Sequence, residues 1–182
     1  MNPRDREFDY LRKEIEFCTA QKQTIFNLIY VSVATILAWA ISIKSPFICI
    51  LTYCVSFPYY CILMSYNIAI FKIQAYFYVF FEENLWDKRK YEIDKAINKN
   101  FNQQDTSYKF PFIFVNIMST VLSLMFLCQS YSIPSLIATL ISMILLLIFV
   151  GYIHLQKSHI ETIENYIKIF NDIKIKENAD KN

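Results

Sequence analysis

Residues 110–156 read "FPFIFVNIMSTVLSLMFLCQSYSIPSLIATLISMILLLIFVGYIHLQ" and contain no aspartate, glutamate, lysine or arginine. A helix needs roughly 20 apolar residues to cross the hydrocarbon core of a bilayer, so this stretch has room for two crossings. The polar cluster "CQSYSIPS", which includes Pro134, predicts a turn between them. Because that turn is short, the two helices should be antiparallel neighbours.

Two more charge-free stretches lie earlier in the chain. Lys22 and Lys44 bound the first, Lys44 and Lys72 bound the second, and each has room for one crossing. The chain is 55% hydrophobic and has only one glycine, which is unusual for a soluble domain. We therefore predict an all-α polytopic membrane protein with two transmembrane hairpins. The four predicted spans are about 25–43, 46–67, 110–129 and 133–154.

Lysine and arginine are distributed very unevenly along the chain. Of the 18 such residues, all except Lys44 lie in the N-terminal arm, in the segment between the hairpins, or in the tail. The positive-inside rule therefore predicts that both termini and the middle segment are cytoplasmic. The charged opening "MNPRDREFDYLRKEIE" is unlike a cleavable signal peptide, so the first span should act as an uncleaved anchor. Abundant Asn, Lys, Ile, Tyr and Phe point to a bacterial source, and hence to the inner membrane.

Outside the spans the sequence predicts two amphipathic helices. Apolar residues recur at spacings of three and four in the arm, as Phe8, Leu11, Ile15 and Cys18, and again in the tail, as Ile160, Ile163, Ile167 and Phe170. The predicted organisation has five segments: a cytoplasmic amphipathic helix (1–24), transmembrane hairpin 1 (25–67), a cytoplasmic helix extension and loop (68–109), transmembrane hairpin 2 (110–154), and a cytoplasmic amphipathic helix with the tail (155–182).

The stretch "FKIQAYFYVFF", residues 71–81, is apolar on nearly every side although it follows a lysine. If the second span continues past Lys72, this part of the helix needs burial, because a helix that is hydrophobic all round is normally buried. The two amphipathic helices could cover it and form a cytoplasmic helical bundle. In the alternative, residues 71–86 lie in the membrane interface, with Tyr76, Tyr78 and Trp86 as aromatic anchors.

Enzyme signatures are lacking. Gly151 is the only glycine, so there is no glycine-rich phosphate loop, and neither an HExxH motif nor paired CxxC motifs occur. His154 and His159 are five residues apart, which places them off a common helix face. We therefore predict no enzymatic activity, no metal site and no cofactor. The absence of charge within the spans also argues against a coupled transporter.

One span carries a polar stripe. Asn116, Ser119, Thr120 and Ser123 follow spacings of three, one and three, so they share a helix face. Such a stripe either holds helices together by hydrogen bonds or lines a wet path through the membrane. These four residues are the pore-lining or helix-packing candidates.

Two other features suggest possible sites. In "EENLWDKRK", Lys88, Arg89 and Lys90 are candidates for regulatory contacts with an anionic ligand, such as a nucleotide, an oligonucleotide or anionic lipid. In the alternative they only satisfy the positive-inside bias; the sequence gives no direct indication of nucleic-acid binding. Cys49 and Cys128 fall near the outer ends of their spans, where either a disulfide or two thiols are possible.

The stretches "FDYLRKEIEF" and "AYFYVFFEENLWDKRKYEID" resemble a group of small bacterial membrane proteins. In that group an N-terminal helix precedes a transmembrane hairpin, whose second helix runs into an acidic segment with a tryptophan. The resemblance covers about residues 7–95. In architecture the chain is also similar to multi-span effector subunits of bacterial antiphage defence systems, which oligomerise and permeabilise the inner membrane when a cytoplasmic partner signals infection.

The functional hypothesis joins these features. We expect a homo-oligomeric, pore-forming or channel-like effector in the lipid bilayer, gated by a cytoplasmic protein or a nucleotide-type regulator, with the polar stripe facing the oligomer axis. The alternative is a non-conducting membrane anchor or sensor that recruits a cytoplasmic partner protein. The chain has little extracytoplasmic sequence, which fits both.

Overall fold

The computed structural model describes residues 3–81, 92, 109–155 and 159–179, and within these ranges all the regular structure is α-helical. The helices are α1 (Pro3–Ile43), α2 (Pro46–Phe80), α3 (Phe110–Gln129), α4 (Ile133–Leu155) and α5 (His159–Ala179).

Helices α1 to α4 are each long and apolar enough to cross a membrane, which confirms the prediction of four such helices. α1 and α2 contain 41 and 35 residues, whereas a crossing takes roughly 20. The charged arm and the first predicted span are therefore one uninterrupted helix, and the second span continues past Lys72 to Phe80. Pro111 lies in the first turn of α3, where a proline costs no helical hydrogen bond.

The turn between α1 and α2 is built without glycine. Lys44 adopts a left-handed conformation with φ of 55°, and its N–H donates to the carbonyl of Ile41 while the N–H of Ser45 donates to that of Ala40. This is the Schellman pattern, which satisfies the last carbonyls of a helix. Pro46 then begins α2, so only Lys44 and Ser45 separate the two helices.

The turn between α3 and α4 uses serines. The N–H of Ser135 donates to Oγ of Ser132, and the N–H of Ser132 donates back to Oγ of Ser135. This reciprocal pair is a capping box in which serine replaces the usual glutamate. It fixes the start of α4 beside the end of α3, and the two helices pack against each other.

The chain divides into two compact units, each with its own packed interior. The described residues of unit 1 fall within Met1–Gln21, Met64–Thr106 and Lys157–Asn182, and those of unit 2 within Lys22–Leu63 and Ser107–Gln156.

Unit 2 has an aromatic centre and an apolar exterior. Tyr60 is fully buried, with its ring centroid 5.2 Å from that of Phe112 on α3 and 5.7 Å from that of Phe149 on α4. Large apolar side chains such as Leu147 and Ile148 are exposed. Extensive exposed apolar surface is unusual in a soluble monomer but is the ordinary exterior of helices in lipid.

In unit 1 the end of α2 is covered from two sides. One apolar cluster joins Ile73, Phe77 and Phe81 to α1. The other joins Ile70, Phe71 and Ala75 to α5, and one residue of α1, Cys18, is also buried in it. Ala75 is two residues from Ile73 and Phe77, which turns it by about 200° to the opposite face of the helix. The α1 residues of the first cluster are Phe8, Leu11 and Ile15; the α5 residues of the second are Ile163, Tyr166, Ile167 and Phe170.

Two cations satisfy the carbonyl end of α2. Arg4 donates from Nη2 to the carbonyl of Phe80 at 2.8 Å, and Lys174 donates from Nζ to that of Val79 at 3.0 Å. The last carbonyls of a helix lack intrahelical donors and carry partial negative charge, so cations are favourable there. α1 and α5 thus each supply one cation to the end of α2.

Candidate functional site: a polar network between three helices

The four polar residues of α3 share one buried face, as their spacing predicts. Asn116, Ser119 and Ser123 have no exposed surface, and Thr120 is almost fully buried. The opposite face is apolar and exposed, and consists of Ile117, Met118, Val121 and Leu124. The structure therefore brings all four stripe residues together in the interior of a single chain.

Helix α2 supplies partners for the first half of the stripe. Ser56 donates to Oδ1 of Asn116 at 3.0 Å, and the amide nitrogen of Asn116 donates to the carbonyl of Phe112 on its own helix at 2.9 Å. Both polar atoms of the buried amide therefore have partners, which removes the main cost of burying it.

The stripe continues with a relay of hydroxyls. Thr52 donates to Oγ of Ser119 at 2.8 Å, and Ser119 donates to the carbonyl of Cys49 at 2.8 Å. Next to it, the hydroxyls of Tyr53 and Thr120 share a hydrogen bond. These contacts fix the register of α3 against α2.

Helix α4 completes the network. Oγ of Ser123 and Oγ1 of Thr139 are 3.2 Å apart. Thr139 also donates a hydrogen bond to the carbonyl of Ser135 on its own helix at 2.9 Å. The hydroxyls of Thr120 and Ser142 are 3.5 Å apart, the longest contact of the set. The stripe thus touches α2 on one side and α4 on the other.

The α2 half of this network was not among the site residues predicted from the sequence. Thr52 and Ser56 are spaced by four and so share a face, which is the signal that could have found them. Both side chains are fully buried.

The network is made of hydroxyl groups, one side-chain amide and backbone carbonyls. None of these kinds of group ordinarily gains or loses a proton near neutral pH, so the arrangement does not suit general acid–base catalysis. What it can do is hold three helices together, because hydrogen bonds between polar side chains link helices in a medium without water.

Comparison of the chain with protein-family models, with curated proteins and with solved structures found no match. Function is therefore inferred from the side chains themselves.

The remaining predicted site residues separate into two groups. Lys88, Arg89 and Lys90 lie outside the described residues. Cys49 is buried and Cys128 is exposed, and both are free thiols, so the disulfide between them is not formed. Among the described residues, no group of three or more histidine, cysteine, aspartate or glutamate side chains is placed to hold a metal ion.

Unit 1 contains an open groove of about 330 Å³. Its lining residues are Tyr78, Glu92, Glu164, Ile167, Lys168, Asn171 and Asp172. Among the described lining residues, three carboxylates stand against one lysine, a balance that disfavours an anion. A nucleotide-type regulator is thus not favoured at this position.

Proposed function

We propose that this protein is a non-conducting membrane anchor or sensor that recruits a cytoplasmic partner protein. The observation that carries the proposal is the closure of the polar network. The stripe side chains of α3 are already hydrogen-bonded to α2 and α4 of the same chain and have little or no exposed surface.

A pore along an oligomer axis would need a different arrangement of these groups. A wet path requires polar groups or backbone carbonyls facing water. The exposed face of α3 instead carries Ile117, Met118 and Val121, so a second copy meeting that face would find apolar side chains. The pore-forming effector, with its homo-oligomeric state and its place in antiphage defence, stays a prediction that would require the network to open.

Unit 1 has the properties expected of a recruiting surface. It contains both termini and the two amphipathic helices, whose outer faces expose apolar side chains such as Tyr10 and Phe17 on α1 and Ile173 on α5. Exposed apolar groups outside a membrane are commonly used for protein contacts. The distribution of lysine and arginine supports a cytoplasmic location for this unit at the inner membrane of a bacterium.

Ion conduction tests the proposal directly. We expect cells that express the protein to keep their membrane potential, read with a voltage-sensitive dye, and their viability. Purified protein in liposomes should not release an entrapped ion, measured with an indicator of that ion outside the liposomes, whereas a pore-forming peptide should release it under the same conditions. Depolarisation together with ion release would overturn the proposal and return the stripe to the role of a pore lining.

Topology provides a separate test of the cytoplasmic placement. Because all cations except Lys44 lie in three segments assigned to one side, a green fluorescent protein fused to either terminus should fluoresce. Alkaline phosphatase inserted after Ser130 should be active, since it would reach the oxidising side. The reverse pattern at these positions would place unit 1 outside the cell and exclude a cytoplasmic partner.

A further inference from the structure

Helix α5 holds α2 through a short periodic set of contacts. Ile163, Ile167 and Phe170 follow spacings of four and three, and Lys174 comes one turn later. This is the pattern by which an amphipathic helix docks into a groove, with anchors on one face of about three turns.

The contacts are specific as well as apolar. The ring of Phe170 lies 5.5 Å from that of Tyr76 and 6.1 Å from that of Phe80, both edge to face. Nζ of Lys72 on α2 lies 5.5 Å from the ring centroid of Tyr166. At the far end, Lys174 reaches the carbonyl of Val79. The apolar anchors, the cation–π contact among them and the hydrogen bond of Lys174 at one end together define the docked position.

Only one face of α5 takes part. Ile169 on its outer side is 51% exposed, and Ile173 is also exposed. α1 packs on α2 mainly through the other cluster, that of Ile73, Phe77 and Phe81, and places only Cys18 in the cluster that α5 joins. If α5 were released, α1 would therefore still cover one side of α2.

We propose that α5 is a displaceable strap. It covers the face of α2 to which an amphipathic helix of the partner protein binds once α5 has been released. The strap rests on the proposed recruiting function: the α2 face is the site that binds the partner, and α5 regulates access to that site. The partner helix presents apolar residues at positions i, i+4 and i+7 and a cation at i+11, as α5 does from Ile163 to Lys174.

The physical properties of α5 suit a strap. It has 21 residues and a mixed polar composition, and isolated helices of this kind are only marginally stable in water. Release of α5 is therefore coupled to its unfolding, which keeps the docked state favoured. Because α5 belongs to the same chain, it competes at an effective concentration on the order of millimolar, so a partner must bind α2 more tightly than α5 does to displace it.

Hydrogen exchange on the full-length protein in lipid nanodiscs tests the strap. Phe170→Ala removes both ring contacts, and we expect amide exchange in α5 to rise roughly tenfold or more, while residues 70–80 of α2 and the α1 arm stay protected. Ile169→Ala is the matched control on the outer face and should leave exchange unchanged. Lys174→Ala should give a smaller rise confined to α5, against Lys176→Ala as its control.

A labelled synthetic peptide of residues 159–179 tests binding in trans. We expect it to bind the full-length Phe170→Ala protein at least about tenfold more tightly than the wild type or Ile169→Ala, in which α5 fills the site. Equal binding to all three proteins would overturn the strap. So would exchange that rises throughout unit 1 or fails to rise in α5, because α5 would then be an inseparable part of the unit.

These outcomes are independent of conduction. If the same samples release ions from liposomes while α5 exchanges as expected, the anchor function fails and the strap stands as part of a channel. If they release no ions and α5 does not detach, the strap alone fails.

Discussion

Replacing Phe77 by alanine should destabilise unit 1 by about 3–5 kcal/mol, the cost typical of a buried phenylalanine truncated to alanine. Phe77 is 4% exposed, and its ring centroid lies 5.0 Å from that of Phe8 and 5.4 Å from that of Phe81. The substitution therefore leaves a cavity in the cluster that joins α2 to α1. A loss of that size would consume much of the stability of a typical domain.

Cys18 offers a native reporter for this experiment. It is buried in the cluster that joins α2 to α5 and is not in a disulfide, so its alkylation by a maleimide requires that cluster to open. Peptide mapping by mass spectrometry separates its labelling from that of the other cysteines. In Phe77→Ala the labelling of Cys18 should become much faster.

Phe17→Ala is the matched control, because Phe17 lies on α1 and is 56% exposed. A surface substitution of this kind usually changes the free energy of unfolding by less than about 0.5 kcal/mol. If both variants label Cys18 at the wild-type rate, the cluster around Phe77 does not hold unit 1 together.

The sequence predicted that the apolar side chains of residues 71–81 need cover, but it left open whether helices or the membrane interface supply that cover. A helix with Ile73, Phe77 and Phe81 on one face and Phe71 and Ala75 on the other is apolar on two opposite faces, and both need cover. The details were not accessible. Arg4 and Lys174 bond to backbone carbonyls, and which carbonyl a cation reaches depends on where α2 ends and on how three helices pack.

At the candidate site, too, the contacts of the polar stripe could not be predicted from local sequence. Spacing alone places Asn116 and Ser119 on one face of a helix. It does not say whether that face meets water, lipid or another helix, because the answer lies in what α2 and α4 present to it. Thr52 and Ser56 supply the deciding contacts, and their pairing with α3 is a property of helix register rather than of local sequence.

Replacing all four stripe residues by alanine should lower the stability of unit 2 by roughly 3–4 kcal/mol. The change removes the side-chain bonds that join α3 to α2 and α4, and interhelical hydrogen bonds in membranes average about 0.6 kcal/mol each. The bonds lost are those from Asn116 to Ser56, Ser119 to Thr52 and Cys49, Thr120 to Tyr53 and Ser142, and Ser123 to Thr139. Titration with dodecyl sulfate in mixed micelles would measure the loss.

The control carries the same number of substitutions on the opposite face of the same helix: Ile117, Met118, Val121 and Leu124 to alanine. These side chains are exposed and have lipid or detergent around them in both the folded and the unfolded state, so their truncation should cost far less. Equal stability of the two variants would mean that the buried bonds contribute nothing net to packing. The polar face of α3 would then have a role other than packing, and a water path through an opened network would be the role to test.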